Sequence, residues 1–188
     1  MVQDSKMTIS PQFCIFLTVL LLAVPLPWVT GWLAAAAVHE MFHCLALLAC
    51  RKRIDHIALG VSGARIQTES LTDGQSIFCS LAGPVGGLLL LCVANIFPRL
   101  ALCAFVQSCY NLLPVYPLDG GRALCGFASI ILPDKTSRRL CRIVEILVMT
   151  GIFLLCTFAA VVWRLGVLPL LISALFILRL KAIKIPCK

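Results

Sequence analysis

The sequence predicts an all-α membrane protein of about six transmembrane helices, with a small interfacial β-hairpin after the second. Three observations predict it. First, 61% of the 188 residues are hydrophobic and only 13% are charged, whereas a soluble domain runs near half apolar and about a quarter charged. Second, apolar runs of span length recur along the chain, split by short polar or proline-containing breaks. Third, the basic residues sit in short clusters beside those runs, as the positive-inside rule requires. The net charge of +8 is therefore an orientation signal. No basic face with interleaved aromatics suggests nucleic acid. Eleven cysteines are scattered without a C-x-x-C pair, so they read as reduced packing residues and not as a zinc knuckle or a disulfide framework.

The elements justify themselves in order. Residues 1–12 are polar, and 13–27 form a first apolar run closed by Pro25 and Pro27. It is short for an untilted span, which takes ~20 residues. A cleaved signal peptide is the competing reading, but the apolar character continues past the alanines at 34–37; the run is taken as an uncleaved span. The second span, 28–50, opens on the interfacial anchors Trp28 and Trp32 and stops at Arg51-Lys52-Arg53. Partial alternation over 54–59 and 64–68 predicts the hairpin. Its free edge could take an extended peptide by strand addition. The third span, 75–97, carries Ser80-Leu81-Ala82-Gly83-Pro84-Val85-Gly86-Gly87; small residues let helices approach and the proline should kink the helix. A fourth span, 100–132, is broken at 111–121 by two prolines and a glycine pair. The polar loop 133–139 precedes a fifth span at 140–163, and 165–180 is the sixth. The whole chain, 1–188, reads as one membrane-embedded domain.

With the N-terminus in the cytoplasm and six spans, nearly every cation falls inside, and only Arg99 and Arg164 fall outside. Both termini are then cytoplasmic, and His43 and Asp119 lie toward the cytoplasmic half.

The chemistry-bearing residues are His39-Glu40-Met41-Phe42-His43. Histidines four apart share a helix face, with a carboxylate beside the first. The pattern supplies two zinc ligands and a general base. Ionisable groups inside lipid are costly and default to function; the bland alternative is a helix-pairing polar patch. A zinc site that works on water needs three protein ligands and an open position. Asp119, a carboxylate aimed by the broken fourth span, is the candidate third ligand, with Glu40 handling the proton. Asn111 reads equally as a substrate- or oxyanion-binding amide and as a helix cap before the break. His56 reads as a hairpin surface residue, Arg122 as a loop or helix-end anchor, and Glu145 as ion-paired with Arg142.

His39-Glu40-Met41-Phe42-His43 together with Asn111-x-x-Pro-x-x-Pro-Leu-Asp119-Gly-Gly-Arg resembles the site-2 protease family of intramembrane zinc metalloproteases. Ser80-Leu81-Ala82-Gly83-Pro84 resembles a third signature of that family, and the wording around Asp119 looks most like the stage IV sporulation protein FB group. The resemblance covers roughly residues 28–132. It implies a zinc enzyme with His39, His43 and Asp119 as ligands and Glu40 as the catalytic residue. Its substrate would be a membrane-anchored protein such as a pro-sigma or anti-sigma factor, with a regulatory membrane partner. The PDZ or CBS domain of many relatives has no counterpart here, and Met41 and Phe42 depart from the usual residues after the glutamate, fitting a lipid or helix contact. The competing reading from another class is a non-enzymatic membrane protein, such as a metal transporter, using the same ligands.

Overall fold

The structure, a computed structural model, describes residues 6–60 and 63–162. The chain forms two compact units, one ending at Asn111 and the other starting at Leu112. The described part is mostly helical. The expected sixth span, 165–180, lies outside the described residues.

The first unit opens with a strand the sequence did not suggest. β1 (Lys6–Ile9) pairs parallel with β2 (Ile54–Gly60), and β2 pairs antiparallel with β3 (Gly63–Thr68), giving the order β1-β2-β3. Residues 6–9 carry no apolar run to betray a strand; their order comes from pairing 48 residues away, as in Thr8 Oγ1 to His56 Nε2 at 3.3 Å. His56 is thus a sheet residue with a polar partner.

α1 (Pro11–Ala23) starts under a Ser10 cap, whose hydroxyl accepts from Phe13 N. Val24 is extended, Pro25 caps the next helix, and Pro27 falls in that helix's first turn, where its missing N–H has no cost. The boundary between the first two apolar runs is therefore at 24–25 and not between Pro27 and Trp28. α2 (Leu26–Ala49) closes in a Schellman turn: Lys52 N donates to Leu47 O at 3.0 Å and Arg51 N to Leu48 O at 2.9 Å. Arg51 takes the left-handed conformation (φ 55°) that such a turn demands.

α3 (Asp73–Leu89) begins in a capping box. Gln75 N donates to Thr72 Oγ1 at 3.3 Å, and Thr72 N donates to Gln75 Oε1 at 3.1 Å. The helix continues through Pro84 and runs into a 3₁₀ turn, Leu90–Val93. Because Thr72→Ala removes the hydroxyl that accepts from Gln75 N, it is expected to cost about 1 kcal/mol, read as a lower midpoint of thermal unfolding in detergent.

α4 (Pro98–Asn111) completes the unit. α2, α3 and α4 pack against one another through small residues. Gly31 of α2 lies against the backbone of Leu100, where an added Cβ would come within 3.6 Å of its Cα, and Gly87 of α3 lies against Ser108 Oγ of α4. In lipid no hydrophobic effect drives helices together, so such close van der Waals approach does. The large side chains accordingly face outward: Leu22, Leu48, Ile96 and Val106 are all exposed.

The described part of the second unit is a helical pair. α5 (Asp119–Ile131) packs on α6 (Asp134–Val162). Two expectations are corrected here. The break in the fourth apolar run spans only Leu112–Leu118, and the glycine pair does not end a helix but sits in the first turn of α5. Local propensity reads adjacent glycines as breakers, yet here packing selects them. A Cβ on Gly120 would meet Leu112 O and one on Gly121 would meet the Val115–Tyr116 peptide, so the loop lies folded tightly on the helix start. The second correction is the polar stretch 133–139, which is helix from Asp134. Pro133 O accepts from Thr136 N and Ser137 N, Asp134 faces the positive helix end, and lysine and arginine are good helix formers.

Among the described residues, three helical segments are long and apolar enough to cross a membrane: Leu26–Ala49, Asp73–Val93 and Asp134–Val162; Pro11–Ala23 is apolar but shorter.

Candidate metal centre

The centre starts from one stripe of α2. Gly31, Ala35 and His39 recur every four residues and are buried, and the same face continues to His43, Ala46 and Leu47. The face that packs the unit together is the face that carries the imidazoles. His39 is only 4% exposed; His43 and Glu40 are half-buried.

The two rings converge. Their Nε2 atoms are 3.1 Å apart, the ring centroids 4.7 Å, and the planes cross at 82°. Two nitrogens bound at about 2.0–2.1 Å to one tetrahedral zinc would be roughly 3.3 Å apart, so the spacing matches a shared ion. His43 Nδ1 donates to the carbonyl of Cys79 on α3 at 2.7 Å. That bond puts the proton on Nδ1 and leaves Nε2 as a lone-pair donor, which is how outer partners orient metal-binding histidines.

Gly83, one turn beyond Cys79, fills the remaining side. An added Cβ there would strike His43 Nε2, sit 2.6 Å from His43 Cε1 and lie 2.8 Å from His39 Nε2. The absence of a side chain at Gly83 keeps open the space in front of both Nε2 atoms. On the donor chemistry and on this cradle, the histidine pair fits zinc. Phe42 turns to the same helix and packs on Gly86, while Met41 is 49% exposed.

Asn111 ends α4, and its Nδ2 lies 3.5 Å from His39 Nε2. Its side chain is directed at the histidine pair while its backbone closes the helix. Asp119 belongs to the second unit, where it is buried in the first turn of α5 behind Leu118, the N-cap. A carboxylate suits the positive end of a helix. It is a helix residue and not, as the glycines suggested, a loop residue. Arg122 follows one turn later and is exposed; its N–H donates to Leu118 O at 2.9 Å.

Sequence reasoning overlooked the Cys79 carbonyl and the role of Gly83. The small-residue signature at 80–84 pointed to α3, yet only as a packing surface.

The fold is one known from a solved protease structure. The chain matches the site-2 protease from Methanocaldococcus jannaschii with a TM-score of 0.65 at 16% identity, over 100% of this chain and 96% of that one. In sequence it is 28% identical over 120 residues to a Synechocystis protein named "Putative zinc metalloprotease sll0528". That alignment takes in 52% of this chain and 32% of the relative, so it spans about a third of the relative's length. No family model matches the chain.

Proposed function

We propose that the chain is a zinc metalloendopeptidase that hydrolyses a peptide bond in or near the transmembrane segment of a membrane-anchored substrate. The observation that carries this is the convergence of His39 and His43 Nε2 at 3.1 Å behind a glycine that leaves them open. His39 and His43 each offer one imidazole nitrogen, and the sequence motif around Asp119 makes its carboxylate the third ligand we propose; three protein ligands with one free position are what a catalytic zinc site needs. Bound zinc supplies Lewis acidity toward water and toward the scissile carbonyl.

The chain's own residues do the rest. Glu40 follows His39 on α2 and accepts the proton released as water adds to the peptide carbonyl. The same carboxylate returns the proton to the leaving amine nitrogen. The Asn111 amide, already beside His39, donates a hydrogen bond to the substrate carbonyl as negative charge develops on its oxygen. The Cys79 carbonyl holds the His43 tautomer throughout.

We place both termini and the centre toward the cytoplasm, with six spans, from the charge bias of the sequence. The resemblance of the Asp119 motif to the stage IV sporulation protein FB group makes a pro-sigma or anti-sigma factor the substrate to try first. Purified protein should carry one zinc per chain, and His39→Ala, His43→Ala and Asp119→Ala should each lower that stoichiometry while the protein still inserts. Cleavage of a co-expressed substrate should stop on chelation and return with added zinc. Full zinc retention in the Asp119→Ala protein would remove Asp119 from the ligand set.

A further inference from the structure

The strongest surface feature outside the metal centre lies at the start of α6. Lys135, Arg138, Arg139 and Arg142 are all exposed. At 100° per residue their spacing puts them within an arc of about 100° on one side of the helix. The buried residues of the same turns, Ser137 and Cys141, face roughly 130° away. Between 134 and 145 the only carboxylates are Asp134 and Glu145. Arg138 Nε is engaged with the Asp134 main-chain oxygen at 3.3 Å.

Lys135 and Arg139, and Arg138 and Arg142, are like-charge pairs four apart on the helix, and such pairs disfavour the helix that carries them. The concentration of four cations makes physical sense with an external anion. Depth supplies one: from Ile146 to Val162 the helix has no charged residue, a stretch of about 25 Å, close to the hydrocarbon thickness. Arg142 stands one turn short of that stretch, at headgroup level, with Arg139, Arg138 and Lys135 successively further out.

We propose that the exposed basic stripe of α6 binds the phosphodiester headgroups of anionic phospholipid, making the start of this helix a lipid-selective site as well as an orientation signal. Guanidinium groups suit this role because they meet phosphate oxygens in a fork. The inference rests on the membrane placement of α6 and is independent of zinc and of proteolysis.

The test uses the full chain reconstituted in phosphatidylcholine bilayers, with spin-labelled phosphatidylglycerol or spin-labelled phosphatidylcholine as the probe. Electron paramagnetic resonance reads the motionally restricted fraction of each. The wild-type chain should restrict phosphatidylglycerol selectively at low salt. The preference should fall as salt shortens the screening length. The variant Lys135→Gln/Arg138→Gln/Arg139→Gln/Arg142→Gln should lose about fivefold for each cation that reaches a headgroup, and tenfold or more in all. Arg138→Lys/Arg139→Lys/Arg142→Lys should keep most of the preference, as should a chain neutralised instead at Arg51, Lys52 and Arg53. Inorganic phosphate should displace the lipid no better than chloride at equal ionic strength. The proposal fails if the wild type shows no preference, if the four-residue variant keeps it, if neutralising 51–53 removes it equally, or if inorganic phosphate competes specifically. Repeating the measurement on Glu40→Gln protein, where the same preference is expected, separates this outcome from failure of the catalytic reading.

Discussion

Glu40→Gln is expected to abolish substrate cleavage while leaving insertion and zinc content intact. The amide keeps the size of the side chain and its place beside His39 on α2, but it cannot take up a proton. General acid–base catalysis by a positioned group is worth about 10²- to 10⁴-fold, so cleavage should fall by at least two orders of magnitude. Zinc should stay near one per chain because Glu40 is not among the proposed ligands. The measurement is paired: metal content by elemental analysis of purified protein, and cleavage of a co-expressed membrane substrate. Cleavage that persisted in this variant would take the general-base role away from Glu40. A chain that moved zinc across vesicles equally well with and without the substitution would point to transport in place of hydrolysis.

Gly83→Ala is expected to do the opposite to zinc. Its Cβ would strike His43 Nε2 and lie 2.8 Å from His39 Nε2, inside the 3.0 Å that real Cβ contacts essentially never cross. A retreat of the His43 ring would disturb the 2.7 Å bond from its Nδ1 to the Cys79 carbonyl. Disturbing the groups that orient metal ligands costs about 10- to 100-fold in affinity or activity, and a direct collision with ligand atoms should reach at least that. Zinc stoichiometry and cleavage should therefore fall together. Gly74→Ala on the same helix is the matched control. Nothing lies within 4 Å of its would-be Cβ, so it should retain zinc and change stability by no more than about 1 kcal/mol. If Gly83→Ala bound zinc as the wild type does, the histidine pair would not be a zinc site.

The two substitutions also divide what could be read along the chain from what could not. His39, Glu40 and His43 were legible because a helix has a fixed period. Residues four apart must share a face wherever the helix ends up. Gly83 and the Cys79 carbonyl were not legible as site groups. The bond from His43 to Cys79 joins residues 36 apart, and only the packing of α2 on α3 brings them together. The pairing of β1 with β2 was hidden for the same reason: four residues, Lys6-Met7-Thr8-Ile9, are too few for their alternation to mark a strand before its partner is known.

Asp119 divides within a single residue. A lone carboxylate in an apolar region stood out by type, since such a group is costly without a role. Its setting did not. Adjacent glycines predicted a loop, whereas Gly120 and Gly121 begin α5 because the backbone of Leu112–Tyr116 occupies the space their side chains would need. The start of α6 shows the same limit: residues 134–139 looked like a polar loop and are helix.

By itself, the sequence determined the solvent and the reagents. Composition set a chain that belongs in lipid, hydropathy set the apolar runs, and helical period set two imidazoles on one face. Those are local properties, fixed by residue type and spacing. Only the folded chain shows which backbone carbonyl meets His43, which glycine clears a space before the two imidazoles, and where broken runs resume as helix. Each of these depends on atoms from distant segments meeting at van der Waals range, and that steric condition is written in no single stretch of the chain.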